Sequence, residues 1–464
     1  MLQKLQKIEI KYWLLILLGI TLPFLFLGYG VEEDSWGTAL AAFNAHTTGI
    51  YEVSRFPGHP FQEIIYALLW NDSPFLFNFL TAIFGVFSFY YLYKIACYYS
   101  VKQPLLLALA FFYTPVVFIS STYTIDYIWA MAFCLASWYA LLRNKVLVAG
   151  ILLAIAIACR ISSGAMAIPF LFILFDNYKG IEFIKKSFVL GISTATITAL
   201  LFIPVFTTYG FDFLVFWDLF APSLPKLLYK STIGVFGLIG CLSLLLALFF
   251  ALKNKFATTL KINKWHLLSW LSMFLLFAYS YARLPQKSAY LINCIPPLLL
   301  FVAYFLKEKQ LKIVCTFLIV SSFCCGINLT DKLRGSKYSN LAITKTISGQ
   351  EIYFDVFTGP AMADYYKREQ KEVFANYVSA SLQKTTTKIA VISGWWYNHI
   401  MIKAIKNPLP ANCKILNYEN EDALKSIVNQ GFVIYYLPEM DSINDTYFQS
   451  TFTKKYSKAF PVLY

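Results

Sequence analysis

The chain has 464 residues, of which 58% are hydrophobic and only 14% are charged. Soluble domains carry about 25% charged residues, so this composition excludes an ordinary soluble protein and favours a membrane-embedded one. The net charge of +14 does not indicate nucleic-acid binding, because the lysines and arginines lie in particular loops between long apolar runs.

Apolar runs recur along residues 1–328, most of them long enough to cross a hydrocarbon core about 30 Å thick. Because backbone groups in lipid must bond to one another, each run is predicted to be a helix, giving about eleven transmembrane helices. The predicted spans are Tyr12–Tyr29, Pro74–Tyr99, Pro104–Ser120, Ile125–Leu142, Val146–Ala158, Ser163–Phe175, Ser187–Phe206, Ser231–Leu252, Trp265–Tyr281, Ala289–Leu306 and Ile313–Asn328.

Basic residues are concentrated before the first span and in the loops after the even-numbered spans. The positive-inside rule therefore predicts a cytoplasmic N-terminus. With an odd number of spans, the loops after odd-numbered spans and everything after Asn328 fall on the extracytoplasmic side. The loop style and the frequent use of lysine and asparagine favour a bacterial inner membrane.

Residues 329–464 contain no long apolar run and are predicted to form a small extracytoplasmic α/β domain. Two short apolar segments, Lys388–Ser393 and Phe432–Leu437, have the composition of buried strands. Asp364–Leu382 and Asn420–Gln430 have helical spacing, with Asn420 as a cap. The predicted division is thus a transmembrane unit, 1–328, and an α/β domain, 329–464.

The first outer loop, Gly30–Ser73, is long for a connection and contains two helix-like patterns, Ser35–Ala45 and Phe61–Trp70. The later loop Thr207–Lys230 is rich in aromatic residues. That composition is typical of a segment lying at the lipid headgroups, where it could contact a lipid tail.

The acidic triplet Glu32-Glu33-Asp34 follows the first apolar run and is the main candidate for chemistry. A carboxylate there can act as a general base or help to hold a divalent cation. Asp34 is favoured because it opens a helical pattern, where its carboxylate can cap backbone N–H groups and face inward. A solvated acidic patch is the alternative.

The stretch from Arg55 to Pro60, RFPGHP, contains two prolines and a glycine. These residues fix a tight backbone excursion, which can aim Arg55 and His59 into a cleft. An ordinary turn is the alternative interpretation.

Three further cations, Arg160, Arg283 and Lys287, lie on the predicted outer side. Arginine forks and lysine ammonium groups suit a phosphate or pyrophosphate, although snorkelling to the interface would also explain them.

Asp126, near the start of the fourth predicted span, is either a helix cap or a second catalytic or metal-binding carboxylate. No cysteine and histidine spacing resembles a metal-ligand set, so no metal ligand is predicted, although a divalent cation is compatible with the carboxylates.

The loop from Glu33-Asp34 to Phe56-Pro57-Gly58-His59-Pro60 is similar to the first outer loop of the GT-C superfamily, particularly its O-mannosyltransferase-like members. These are integral membrane glycosyltransferases that use polyprenyl-phosphate-linked sugars. The later segment from Arg283 to Pro297 also resembles theirs, and the likeness covers roughly residues 10–310. The resemblance implies Asp34 as the base and Arg283 and Lys287 as phosphate contacts.

The expected function is therefore an inverting glycosyltransferase at the outer membrane face. Arg160, Arg283 and Lys287 would hold the phosphate of a polyprenyl-phosphate-linked sugar, and Asp34 would deprotonate an acceptor hydroxyl on a glycan, lipid or protein. The expected partners also include membrane lipid but no nucleic acid. Two alternatives remain. A flippase or transporter of a lipid-linked substrate would have paired broken helices and charged residues near the middle of the membrane. A membrane scaffold would instead use its exported domain to bind a partner.

Overall fold

The structure is a computed structural model that describes residues 9–214, 222–328, 342–347, 350–417, 419–437 and 455–461. The chain is mostly helical, with a small α/β region towards its C-terminus. The helices are α1 Ile10–Thr21, α2 Glu33–Thr48, α3 Pro60–Leu68, α4 Pro74–Tyr98, α5 Pro104–Phe112, α6 Pro115–Ser120, α7 Asp126–Leu142, α8 Val146–Cys159, α9 Ala167–Asn177, α10 Gly180–Tyr209, α11 Leu224–Ser231, α12 Ile233–Lys253, α13 Lys264–Arg283, α14 Ile295–Phe305, α15 Glu308–Val320, α16 Pro360–Gln383, α17 Tyr397–Lys406 and α18 Glu421–Asn429. The strands are β1 Gly326–Asn328, β2 Ile343–Ile347, β3 Gln350–Asp355, β4 Ile389–Ile392, β5 Cys413–Leu416, β6 Val433–Tyr436 and β7 Ser457–Ala459.

Within the described residues, four helical segments are long and apolar enough to cross a membrane. They are Pro74–Tyr98, Gly180–Tyr209, Ile233–Lys253 and Ser288–Phe305. Several shorter apolar helices, including α7 and α8, pack among them. The mostly helical fold is confirmed, and the four long apolar helices are consistent with a membrane protein, while the count of eleven spans stays a prediction.

Several predicted spans have different limits in the structure. The first predicted span, Tyr12–Tyr29, is too long, because α1 ends at Thr21 and only a short 3-10 turn, Leu22–Phe24, follows it. Pro104–Ser120 is divided into α5 and α6, because Thr114 is extended before Pro115 and a residue preceding proline disfavours the helical conformation. The prediction that a helix continues to Asn328 is wrong. The helix ends at Val320, and Gly326–Asn328 form β1, which pairs with β3.

Helix α7 is the most enclosed helix near the candidate residues, and it packs against α4 and α8. Nearly all of its side chains are buried, including Trp129 and Trp138. An apolar helix buried on all sides has a fixed position, so its first residue, Asp126, is held in place by the core.

The C-terminal region contains two sheets. Strands β5, β4, β6 and β7 form a parallel sheet in that order, and β1, β3 and β2 form an antiparallel one. The predicted strands and helices of this region are confirmed, including the cap at Asn420, whose side chain accepts a hydrogen bond from the backbone N–H of Ala423 at 2.9 Å. Strand β1 lies at the end of the predicted unit 1–328 and pairs with β3 of the predicted unit 329–464. The two predicted units therefore share a sheet.

Both helix-like patterns of the first loop are confirmed as α2 and α3. Helix α2 ends at Gly49, which adopts the left-handed conformation favoured by glycine after a helix. Proline in the first turn begins α3. In the segment Thr207–Lys230, α10 ends at Tyr209 and α11 begins at Leu224, while residues 215–221 lie outside the described residues.

Candidate functional site

The structure brings six of the seven predicted site residues into one group. Glu32, a member of the acidic triplet in which Asp34 was the favoured candidate, also belongs to this group. We call this group the charge cluster. It consists of Glu32, Asp34, Arg55, His59, Asp126, Arg160 and Lys287.

The chain topology explains why these distant residues meet. Asp34 lies in the first turn of α2, and Asp126 is the first residue of α7. Arg160 directly follows α8, which returns antiparallel to α7 after a short turn, so the start of α7 and the end of α8 lie at the same end of the bundle. Lys287 lies in the short connection between α13 and the segment leading into α14.

Asp126 is the most buried member of the cluster, with its side chain 1% exposed. One carboxylate oxygen accepts a hydrogen bond from Arg55, and the other accepts from Arg160 at 2.8 Å. A buried carboxylate of this kind is tolerated only when it is paired and hydrogen-bonded. The helix-cap interpretation of Asp126 is wrong, because its carboxylate bonds to these two side chains and Ile125 occupies the cap position without a side-chain bond.

Asp34 is more accessible, with its side chain 23% exposed. Its carboxylate accepts a hydrogen bond from Lys287 and lies 3.6 Å from Nε of Arg55. Lys287 also donates to Glu32 at 2.6 Å, so one ammonium group is shared by two carboxylates. The predicted capping role of Asp34 is wrong: Glu32 is the cap residue and makes no side-chain cap.

The Arg160 guanidinium packs against two tyrosine rings. It lies 4.6 Å from the ring centroid of Tyr127 and 4.6 Å from that of Tyr290. Cation–π contacts and the bond to Asp126 together fix the plane of the guanidinium. Arg160 is therefore a held cation and not a side chain that snorkels into water.

His59 is buried, and its Nδ1 lies 2.7 Å from the carbonyl oxygen of Cys159. Since a carbonyl only accepts, Nδ1 carries the proton and Nε2 is left with a free lone pair. Burial lowers the pKa of His59, and the positive charges of Arg55 and Arg160 add to this while Asp126 opposes it. The imidazole is accordingly neutral at neutral pH.

Glu63 anchors the loop that carries Arg55 and His59, a role that sequence reasoning missed. Its carboxylate accepts from the hydroxyl of Tyr51, from the backbone N–H and hydroxyl of Ser54 at 2.8 and 2.6 Å, and from the backbone N–H of His59 at 2.8 Å. The available signal was a glutamate in the first turn of a helix that follows a constrained loop.

Nη1 of Arg55, Nε2 of His59 and the hydroxyl of Tyr127 are buried and have no hydrogen-bond partner among the residues that the structure describes. Buried polar groups are ordinarily paired, so these three atoms are free to bond to a bound water or substrate. The two donors, Arg55 and Tyr127, suit an anion, and the lone pair of His59 suits a hydroxyl.

The electrostatic balance of the cluster decides the protonation of Asp34. Burial by itself would raise the pKa of this carboxyl group, but the positive charges of Arg55 and Lys287 overcome it and hold the pKa well below its usual range. For Lys287 the signs are reversed: burial alone would lower the pKa, but the negative charges of Asp34 and Glu32 raise it above its usual value. Both groups are therefore charged at neutral pH.

A depressed carboxyl pKa predicts acid-sensitive stability. The contribution of Asp34 is complete above its unfolded pKa of about 3.9 and is lost as the pH falls towards the folded value. We expect the melting temperature of the wild type to exceed that of Asp34→Asn by a constant amount between about pH 8 and 5, and the gap to shrink below about pH 4. Thermal unfolding in detergent across this range measures the gap, and a gap independent of pH would contradict the ion pairs.

Arg283 is not brought into the charge cluster. It is the last residue of α13, its side chain is exposed, and it has no ion-pair partner among the described residues. The chain leaves the helix at Leu284, and Pro285 and Gln286 then direct it towards the cluster, which Lys287 reaches.

In the described part of the chain, no three His, Cys, Asp or Glu side chains gather in a way that could hold a metal ion. The carboxylates of Glu32, Asp34 and Asp126 instead face basic side chains. The compatibility of this site with a divalent cation stays a prediction.

No protein-family model matches the sequence, and no curated protein matches it.

Proposed function

We propose that this chain is an inverting glycosyltransferase that moves a sugar from a polyprenyl-phosphate donor to an acceptor hydroxyl at the extracytoplasmic face of a bacterial inner membrane. The observation that carries the proposal is a partly accessible carboxylate, Asp34, held by two cations, Arg55 and Lys287, beside unpaired buried donors. A base next to a phosphate-binding group is what displacement of a lipid phosphate requires.

In the proposed reaction, Asp34 accepts the proton of the acceptor hydroxyl. The acceptor oxygen forms a bond to the anomeric carbon of the sugar while the bond from that carbon to the phosphate oxygen breaks. The electron pair leaves with the lipid phosphate, and Arg55, Arg160 and Lys287 stabilise the added negative charge. Attack on the face opposite the leaving group inverts the anomeric centre.

The pairing of Asp34 in the structure suggests how donor binding would activate it. A carboxylate held by Lys287 and Arg55 is a weak base, because its pKa is depressed. When the donor phosphate takes up part of the charge of Lys287, the pKa of Asp34 moves back towards its ordinary value. Asp34 would thus become a stronger base only when the donor is bound. Without the donor it would not activate water, which would limit hydrolysis of the donor.

The surroundings of the cluster suit an amphiphilic substrate. The loop carrying Arg55 packs on the end of α10, where the ring of Phe56 meets that of Tyr209 at 5.4 Å. The apolar face of α10 is largely exposed, including Leu200, Ile203 and Phe206. A phosphate at the charge cluster could therefore keep its hydrocarbon chain in the membrane alongside this helix.

The decisive experiment uses the purified full-length chain in proteoliposomes. It is incubated with a panel of polyprenyl-phosphate sugars, with and without glycan acceptors, and the release of free polyprenyl phosphate is followed. We expect release with at least one donor. Transbilayer movement of intact donor without release would instead favour a transporter, and no release from any donor would count against the proposal.

Lys287 and Arg283 form a matched pair of cations for testing phosphate binding. They lie four positions apart, yet only Lys287 reaches the charge cluster. Hydrogen bonds to charged groups contribute about 1.5–3 kcal/mol, so Lys287→Met should raise the donor KM about 10–100-fold. Arg283→Met should change it less than about twofold. Equal effects of the two substitutions on KM would contradict the assignment of Lys287.

A further inference from the structure

Arg368 of α16 belongs to the C-terminal region, yet its side chain is buried against the helical unit and is only 2% exposed. Its Nε and Nη2 donate to Asp364 at 2.7 and 2.6 Å. Nη1 donates to the carbonyl oxygens of Phe24 and Thr122 at 3.0 Å each, and Nη2 also donates to the hydroxyl of Thr122 at 2.6 Å. These five contacts match the five N–H groups of a guanidinium.

The two carbonyls bound by Arg368 belong to the segments that carry the cluster carboxylates. Phe24 leads into the stretch ending in Glu32 and Asp34, and Thr122 lies four residues before Asp126. The two segments also bond directly to each other, because the backbone N–H of Thr124 donates to the carbonyl of Tyr29 at 2.9 Å. Arg368 thus lies across the junction of the two segments.

A tyrosine extends this junction into the charge cluster. The guanidinium of Arg368 lies 5.4 Å from the ring centroid of Tyr123, and the hydroxyl of Tyr123 donates to Glu32 at 3.5 Å. Glu32 in turn shares Lys287 with Asp34. A continuous series of contacts therefore leads from α16 to the predicted base.

Other residues of the C-terminal region cover the start of α2. Lys371 donates to the carbonyl of Val31 at 2.7 Å, and Asn398 donates to Glu33 at 3.1 Å. The ring of His399 stacks on Trp36 with centroids 4.3 Å apart. The C-terminal region is thus packed directly on the acidic triplet.

We propose that the C-terminal α/β region is a structural part of the site and that Arg368 is its positioning residue, which sets the relative placement of Asp34 and Asp126. Its catalytic consequence rests on the proposed function, whereas its structural consequence does not. Arg368 touches no reacting atom. It acts by holding two backbone segments whose side chains must meet the same cations.

The test compares full-length Arg368→Lys and Arg368→Gln with the wild type. Lysine keeps the charge but lacks the planar fork, and glutamine removes the charge. Lys384→Gln, at the exposed end of the same helix, is the matched control. Hydrogen–deuterium exchange is followed in peptides covering residues 22–34 and 120–127, together with kcat and KM for the donor.

We expect exchange in those two segments to accelerate about tenfold or more in both variants, while α17 and the parallel sheet keep wild-type exchange. Misplacement of a reacting group by about 1 Å can cost a factor of 10², so kcat should fall roughly 10–100-fold with a smaller change in KM. The control should match the wild type in both measurements.

Unchanged exchange in residues 22–34 and 120–127 would overturn the proposal, as would a uniform increase throughout the C-terminal region of Arg368→Lys. If Arg368→Gln does not fold, the milder Arg368→Lys decides by the same readout. A wild type that releases no lipid phosphate would refute the proposed function alone, because the exchange measurement does not depend on transfer.

Discussion

Asp34→Asn is expected to lower the rate of transfer about 10²–10⁴-fold, the usual contribution of a general base, while the chain stays folded. Asparagine has nearly the same shape as aspartate and can still accept a hydrogen bond from Lys287. It cannot accept the proton of the acceptor hydroxyl. The loss should therefore appear mainly in kcat, whereas donor binding should persist because Arg55, Arg160 and Lys287 remain.

The matched control is Asp72→Asn, which changes an exposed aspartate of the same loop. It should keep wild-type transfer, which separates removal of the base from a general change in loop charge. Release of polyprenyl phosphate, donor binding and melting temperature are measured for both variants. An Asp34→Asn variant that folds and transfers at the wild-type rate would refute the role of Asp34.

Much of the charge cluster could be predicted because few charged residues interrupt an apolar chain. A charge beside a membrane span is costly unless it is paired or solvated, so Asp34, Asp126 and Arg160 stand out in the sequence. The positive-inside rule then places them on one side of the bundle before any contact is known. That these side chains lie at one end of the bundle was thus predictable, but the partner of each charge was not.

Arg283 shows the limit of this reasoning. Its type and its distance from Lys287 along the chain are both compatible with a phosphate contact. Whether the side chain turns towards the cluster depends on where α13 ends and how residues 284–286 leave it, which hydrophobic periodicity does not determine.

Arg368 was missed for the opposite reason. Asp364 and Arg368 are four residues apart on an amphipathic helix, a spacing typical of an exposed ion pair. In the structure the same pair is buried, because α16 packs on α6 and Arg368 inserts between two backbone segments. The sequence pattern of this helix is that of a surface helix, but packing against the helical unit buries the pair. The hydrogen bonds of Arg368 to Phe24 and Thr122 show this, and the sequence alone does not.

Asp126→Asn is expected to be the most destabilising single substitution in the charge cluster. Removing one partner of a buried ion pair costs about 3–5 kcal/mol, because the remaining charges lose their compensation. Here two guanidinium groups, those of Arg55 and Arg160, would lose the same carboxylate. The free energy of unfolding, measured by denaturation in mixed micelles, should fall by about this amount.

An anion should partly restore the stability of Asp126→Asn, because the two arginines then have no carboxylate between them. Inorganic phosphate or pyrophosphate should raise the melting temperature of the variant more than that of the wild type. The double variant Asp126→Asn/Arg160→Met removes one uncompensated charge, so its loss of stability should be smaller than the sum of the two single losses. Additive losses, together with equal responses of variant and wild type to phosphate, would show that Asp126 does not compensate these arginines and that they do not form an anion site.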